Sequence, residues 1–573
     1  MREDFSMRNT EPKHVIYDMD SVYDGVVRQA QRYGDKVRYY YKENGEEKIV
    51  TYKQMLDHVN YISSGLDAMG YAKTTIVITG EPHPDYVAVY DAVVSIGGVI
   101  VPLDKDITND QFSGFVNVTE SKVVFYMASL NSKIVDKLPE MNGVEKFVCI
   151  AAGDLQLPED DRFMKFEDFF EYGKKAYESG NRAAEKHEVD LEALCAILYT
   201  SGTTGTSKGV MLNQRNLVTA TIDSDYIMAV MESDVFVSVL PFHHAYEFVC
   251  AQFALPNTGA TTAINDSIKN VLRNFQKYKP TALVLVPLFV ETLHKRIWAE
   301  IEKKGKTKTV KNAIKISNAL RKVGIDRRRV LFKDILAAFG GNLKLIVCGG
   351  APLRADLLDD FDAFGIEICE GYGITECAPL ISANPITWRK YHSVGLKVPH
   401  MDVKIEKENE EDETGEILAK GPAVFMGYYK NPEATKEAFT SDGWFRTGDI
   451  GYVDKDNFIF ITGRKKNVII LSNGKNIFPE ELEEYITASD LVSECVVVGR
   501  KNDAGEISIW ALVYPDYEKF EGKSKEEIEA AIKAEIDNVN KKLPVYKHIP
   551  NVEIRETEFE KNTTRKIIRY KIK

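Results

Sequence analysis

Apolar and polar positions along the first 150 residues follow two rhythms that trade places. Val37 to Tyr52 reads as a hairpin turning at Asn44-Gly45, a dipeptide that accepts the positive φ of a tight hairpin turn. Leu56, Val59, Ile62 and Leu66 then recur at helical spacing up to Gly70, which predicts a helix with one buried face. Strand-like runs at Thr75–Thr79, Val99–Leu103, Lys122–Tyr126 and Lys146–Ile150 alternate with helical stretches. That alternation predicts a parallel sheet covered by helices. Residues 151–190 are charged and poor in strand signal, and read as a linker or irregular excursion.

A second α/β half is expected beyond residue 190. Asn213 is placed to cap a helix, and strands at Val235–Leu240 and Thr281–Val286 bracket a helical pair. The sheet pattern resumes at Leu343–Cys348, passes through Gly349-Gly350-Ala351-Pro352 and a helix from Arg354, and reaches a strand at Ile366–Cys369. Val394 to Lys420 is β-rich, and Ile450–Val453 with Phe458–Thr462 reads as a hairpin. Beyond it the pattern shortens: helix Pro479–Ala488, strands Glu494–Val498 and Ile507–Val513, helix Lys525–Lys542, strand Val552–Arg555. The expected fold class is α/β, with a large N-terminal domain over residues 1–465 made of parallel-rich sheets covered by helices plus a β-rich subdomain. A small, mobile α+β C-terminal domain would take residues 466–573.

Composition narrows the class. A chain of 573 residues, 44% hydrophobic and 28% charged, suits a globular protein of two to four domains. Net charge is −12, which argues against a general nucleic-acid partner. Seven cysteines lie in apolar runs without metal-type spacing, so buried free thiols in a reducing cytoplasm are expected. Met1 to His14 lacks an apolar core and does not read as a signal peptide, and the longest apolar run, Ala282 to Val290, is far short of the ~20 residues of a membrane span. Against this acidic background, Lys303 to Arg329 is strongly basic. A solvated face is the ordinary reading of such a run; a docking patch for anionic lipid, coenzyme phosphate or an acidic carrier protein is the sharper one.

The chemistry concentrates in Thr200-Ser201-Gly202-Thr203-Thr204-Gly205-Thr206-Ser207-Lys208, which follows the apolar run Cys195 to Leu198. Glycines let backbone N–H groups converge, hydroxyls add donors and a lysine adds charge, which are the parts of a polyphosphate cradle. No Gly-Lys-Ser/Thr closes it, so the GTPase-type loop is excluded. Taken alone, the stretch is equally a polar surface turn.

Four further stretches recur with this loop in one arrangement: Gly349-Gly350-Ala351-Pro352; Gly371-Tyr372-Gly373-Ile374-Thr375-Glu376; Trp444-Phe445-Arg446-Thr447-Gly448-Asp449; and Gly463-Arg464-Lys465-Lys466-Asn467-Val468-Ile469. A fifth, Thr563 to Arg569, lies near the C-terminus. In this order they resemble the acyl-adenylate-forming (AMP-binding) synthetases over nearly the whole chain. Leu240-Pro241-Phe242-His243-His244-Ala245-Tyr246-Glu247 and Leu471 to Glu481 look most like the long-chain fatty acyl-CoA synthetases among them.

That resemblance implies an ATP- and Mg²⁺-dependent ligase that joins a carboxylic acid, a long-chain fatty acid in this branch, to coenzyme A through acyl-AMP. It implies pyrophosphate binding by Thr200, Ser201, Gly202, Thr203, Thr204, Gly205 and Lys208. Gly349, Gly350, Ala351, Tyr372, Gly373 and Thr375 would hold the nucleoside, Glu376 with Thr203 the Mg²⁺, and Asp449 and Arg464 the ribose or phosphate. His244, preferred over His243 by register, would stand at the mouth of the acyl site. Lys466 would be the hinge and Gly474 would pass the pantetheine arm. Lys566 is the implied catalytic lysine, although Arg565 and Glu560 depart from the family's glycine and proline and keep Lys561 as a second candidate. Two rival readings are an acyl carrier protein as acceptor and a non-catalytic nucleotide- or acyl-binding homologue. The implied location is cytoplasmic, with peripheral membrane contact through residues 303–329 left open.

Overall fold

A computed structural model describes residues 15–200, 207–386, 388–471, 475–501, 507–561 and 567–572. The described residues fall into two compact units. One takes those up to Thr200, Ser207–Asp402 and Lys420–Glu437; the other takes Val403–Ala419 and those from Ala438 onward.

The first unit carries two large sheets among its described residues. In the eight-stranded sheet the order is Gly427–Tyr428, Lys208–Asn213, Leu194–Thr200, Val99–Leu103, Thr75–Thr79, Val123–Met127, Lys146–Ile150, Phe163–Lys165. Pairing is parallel from Leu194–Thr200 outward to Phe163–Lys165 and antiparallel at the other edge. The nine-stranded sheet has a parallel centre that runs from Val37–Glu43 through Thr261–Ile264, Val235–Ser238, Ala282–Leu285 and Leu345–Gly349 to Glu367–Gly373. Strands of this kind are buried on both faces, which is why they read as short continuous apolar runs such as Leu345-Ile346-Val347-Cys348. The Asn44-Gly45 hairpin forms as expected, with Glu43 opposite Glu46. Thr51 and Gln54 close a reciprocal capping box at the start of helix Tyr52–Ala68, and Asn213 caps helix Gln214–Met228.

Two expectations need correction. Residues 151–190 are not an irregular excursion: they hold the edge strand Phe163–Lys165 and the helix Phe166–Glu178. Phe166 and Phe169 are buried against Phe125, and a glycine face lets the helix lie close against helix Tyr52–Ala68. A Cβ at Gly173 would stand 2.1 Å from the Tyr61 carbonyl oxygen, so the approach requires glycine. The charges that masked the signal, such as Glu167, Asp168, Glu171 and Lys175, are exposed. The interval between the strands at Val235 and Ala282 also contains the strand Thr261–Ile264, so it is more than a helical pair.

The second unit has a four-stranded sheet in the order Asp402–Glu406, Gly415–Lys420, Phe445–Val453, Ile459–Arg464, with the last three strands antiparallel to their neighbours among themselves. A three-stranded sheet of Val492–Lys501, Ile507–Pro515 and Asn551–Ile554 is covered by helices Pro479–Thr487 and Lys525–Asn540. Leu482, Ile486, Val497, Ile509, Ile532 and Ile536 give this small layer its own core. All seven cysteines are free and buried, as their apolar settings predicted.

Candidate active site

Strands Leu194–Thr200 and Lys208–Asn213 pair as an antiparallel hairpin stem with Thr200 opposite Lys208. The stem holds both residues in place; Ser201, Gly202, Thr203, Thr204 and Gly205 lie outside the described residues. On its other side Lys208–Asn213 pairs with Gly427–Tyr428, setting Tyr428 opposite Val210. The Lys208 ammonium then stands 4.6 Å from the centre of the Tyr428 ring. The Tyr428 hydroxyl donates to Glu376 Oε1 at 2.8 Å, and the Glu376 carbonyl accepts from the Phe425 backbone at 2.8 Å. Burial first, then the Glu376 carboxylate, raises the Tyr428 pKa, so the phenol stays a donor. Lys208, Tyr428 and Glu376 thus form one chain of contacts at the Lys208 end of the hairpin stem. Sequence reading named Lys208 and Glu376 and missed Tyr428. The overlooked signal is Phe425-Met426-Gly427-Tyr428-Tyr429, where Gly427 at φ +136° has Thr435 against the place of a Cβ.

The remaining candidates of this unit gather at the C-terminal ends of parallel strands, where open α/β sheets place their ligands. Gly349 ends its strand opposite Gly371, Gly350 follows with φ +92°, and Thr375 and Glu376 open the turn after Glu367–Gly373. A Cβ at Gly373 would stand 1.9 Å from the Pro379 carbonyl oxygen, so this glycine serves packing as well as any ligand. Tyr372 is only 7% exposed. Residues 241–247 lie across the strand ends of both sheets. The Tyr246 hydroxyl approaches the carbonyl oxygens of Val347 at 3.1 Å and Leu285 at 3.3 Å. His243 Nε2 is 3.6 Å from Asp104 Oδ2, just past Leu103. Burial, then Lys105, pushes the His243 pKa down to about 3, so its ring is neutral. His244, the preferred candidate, lies against His243 with ring centres 3.9 Å apart. Glu247 is 1% exposed; its Oε1 accepts from Ser238 Oγ at 2.5 Å and Gln252 Nε2 at 2.9 Å. Burial pushes its carboxyl up to about 7 against those two donors. A π-helical stretch, Phe248–Phe253, follows directly, a rare geometry that collects near functional sites.

In the second unit, Asp449 and Arg464 are register partners of adjacent strands, with Arg464 Nε 2.8 Å from Asp449 Oδ1. Asp449 is 3% exposed, so its carboxylate is held rigidly. Lys465 and Arg446 both reach Glu416 Oε2 at 2.8 Å. Lys466 follows in a one-turn helix, and partial burial, then Arg464 and Arg569, pull its pKa down to about 8. Gly474 and Lys566 lie outside the described residues. Lys561 and Ile567 form a β-bridge, and Arg569 is ion-paired with partly buried Glu483. Lys561, the second candidate, is paired to Glu494 and, at 3.0 Å, to Glu558.

Among the described residues no cluster of three or more His, Cys, Asp or Glu side chains is arranged to hold a metal. A single hard carboxylate fits Mg²⁺ that completes its shell with water and substrate phosphates, and Glu376 offers that chemistry.

Residues 26–429 match the AMP-binding enzyme family, and residues 466–573 match the AMP-binding enzyme C-terminal domain. The chain therefore belongs to the AMP-binding enzymes, and it is a ligase of their acyl-adenylate-forming class. Within that class it is similar to the long-chain-fatty-acid–CoA ligase FadD15 of Mycobacterium bovis, at 30% identity over 499 residues covering 82% of this chain and 78% of that one. It is likewise 30% identical to long-chain-fatty-acid–CoA ligase 1 of Cavia porcellus over 495 residues, 82% of this chain and 70% of that one. The fold matches the anthranilate CoA ligase AuaEII in complex with anthranoyl-AMP, with a TM-score of 0.77 at 19% identity, covering 98% and 97% of the two chains. No described helix is long and apolar enough to cross a membrane.

Proposed function

We propose that this chain activates a long-chain fatty acid with ATP and Mg²⁺ to acyl-AMP and passes the acyl group to coenzyme A, yielding acyl-CoA, AMP and pyrophosphate. The names of its relatives support the acid and the acceptor. The observation that carries the reading is the contact chain Lys208–Tyr428–Glu376, which begins at the lysine that closes the glycine–threonine stretch in sequence. A carboxylate attacking the α-phosphorus of ATP brings two anions together while charge moves onto departing pyrophosphate. Such a step needs positioning and charge neutralisation more than covalent help. In this reading Lys208 and the residues from Thr200 to Gly205 bind the departing phosphates. Glu376, oriented by Tyr428, would hold Mg²⁺ together with Thr203; the bound ion would offset phosphate charge. Gly349, Gly350, Ala351, Tyr372, Gly373 and Thr375 line the nucleoside side, Asp449 and Arg464 take the ribose, and His244 faces the acid.

Residues 466–573 act as the mobile C-terminal domain against 1–465, turning about Lys466. One orientation brings Lys566 to the carboxylate and α-phosphate; the other brings Gly474 to the pantetheine arm for thioester formation. The test measures pyrophosphate release across short, medium, long and aromatic carboxylates, then product with coenzyme A or an acyl carrier protein. Release with long-chain acids and thioester with coenzyme A is expected. Lys566→Ala should abolish release while sparing thioester formation from supplied acyl-adenylate. Failure of every acid to give release would favour a non-catalytic homologue, and thioester only on the carrier protein would reassign the acceptor.

A further inference from the structure

Helices Pro287–Lys303 and Thr307–Lys322, with the short turns after them, form an excursion between strands Ala282–Leu285 and Leu345–Gly349. Its inner side is accounted for. Val310, Ala313 and Ile314 pack on the hydrophobic cluster beside the nine-stranded sheet. Three members of the basic run turn back into the fold: Arg321 and Arg328 pair with Asp362 at 2.5 and 2.9 Å, and Arg329 donates to the carbonyls of Leu343 and Gly365.

The outer side has a different composition. Ile316 and Val323, two turns apart on one helix face, are followed along the chain by Ile325, Val330 and Leu331, and these five keep 44% to 71% of their surface exposed. Lys308, Lys315 and Lys322 are exposed on the flank, on the order of 100° round the helix from Ile316. Single exposed aliphatics are ordinary; a run of five edged by lysines is not. Between Lys303 and Arg329 eleven basic residues meet one acid, Asp326, in a chain whose net charge is −12.

We propose that this face docks on the surface of an anionic lipid bilayer, the aliphatic stripe entering the headgroup boundary while the flanking lysines meet lipid phosphates. The two chemistries lie side by side on the helix as they lie one above the other in a bilayer interface. A second copy of the chain would set one basic face against another, and an acidic protein surface alone would leave the stripe in water. The proposal does not depend on the identity of the acid.

The native thiols are all buried, so a Val323→Cys variant takes a polarity-sensitive dye at that position alone. The labelled full-length protein is titrated with vesicles of phosphatidylcholine alone or with phosphatidylglycerol added, and flotation is scored in parallel with unlabelled protein. A blue shift and flotation are expected with the anionic vesicles only. Replacing Lys308, Lys315 and Lys322 together by Gln should weaken binding about a hundredfold, at about fivefold for each cation. Ile316→Asp should remove flotation with an unchanged melting temperature, since that side chain is exposed. Absent flotation, equal binding to neutral vesicles, or a triple variant that binds like wild type would each overturn the proposal. So would charge-dependent capture of an acidic carrier protein without any vesicle binding.

Discussion

Tyr428 shows how much one hydroxyl does at this site. Its O–H reaches Glu376 across 52 positions of sequence, and its ring sits under the Lys208 ammonium. Hydrogen bonds to charged groups contribute about 1.5–3 kcal/mol, so Tyr428→Phe should raise the Mg·ATP concentration needed for half-maximal pyrophosphate release about tenfold or more. The ring and its contact with Lys208 would persist. A normal titration by Mg·ATP would show that Glu376 needs no such partner. Glu247 makes a pH-dependent case. Its carboxyl rises from an ordinary value near 4.5 to about 7 in the fold, so between those values the folded chain holds a proton that the unfolded chain releases. Its favourable contribution is full below about 4.5 and is lost as pH rises through 7. Glu247→Gln resembles the protonated acid. Its melting temperature should match wild type at pH 4 and exceed it at pH 8, where the stability difference is bounded by about 3–4 kcal/mol. Equal melting temperatures at both values would mean that the buried carboxyl is stabilised in its charged form.

At the scale of elements, packing decided what local pattern did not. Helix Phe166–Glu178 carries enough charge to hide its apolar stripe, and it forms because Gly65 and Gly173 let two helices approach closely. An exposed helical glycine replaced by alanine gains about 1 kcal/mol. At Gly173 the added methyl would meet backbone of Tyr61, which has no rotamer with which to yield, so Gly173→Ala should destabilise by about 1–3 kcal/mol instead. Thermal or urea melting decides the sign, and a stabilised variant would show the two helices separating at little cost. Strands and hairpins were more legible. The Asn44-Gly45 turn, the strand Val99–Leu103 and the cap at Asn213 depend on residues adjacent in sequence, and all three appear as read.

Over the whole molecule, the sequence by itself determined the class of the protein. Its glycine–threonine loop, its Gly-Tyr-Gly-x-Thr-Glu turn and its Arg-x-Gly-Asp strand are short, and each owes its character to residue types at neighbouring positions. The strand–helix alternation was equally local, so the α/β architecture with its β-rich part and small C-terminal layer could be read before any coordinates. The tertiary structure alone decided who stands beside whom. The register of Lys208–Asn213 against Gly427–Tyr428 brings Tyr428 to Glu376. Meeting strand ends set His243 beside Asp104, and Asp362 with the carbonyls of Leu343 and Gly365 turned three arginines of the basic run inward while its lysines stayed outside. Contacts of this kind join positions tens to hundreds of residues apart. They follow from burial summed over whole faces and from sheet register, and no short window of sequence contains either.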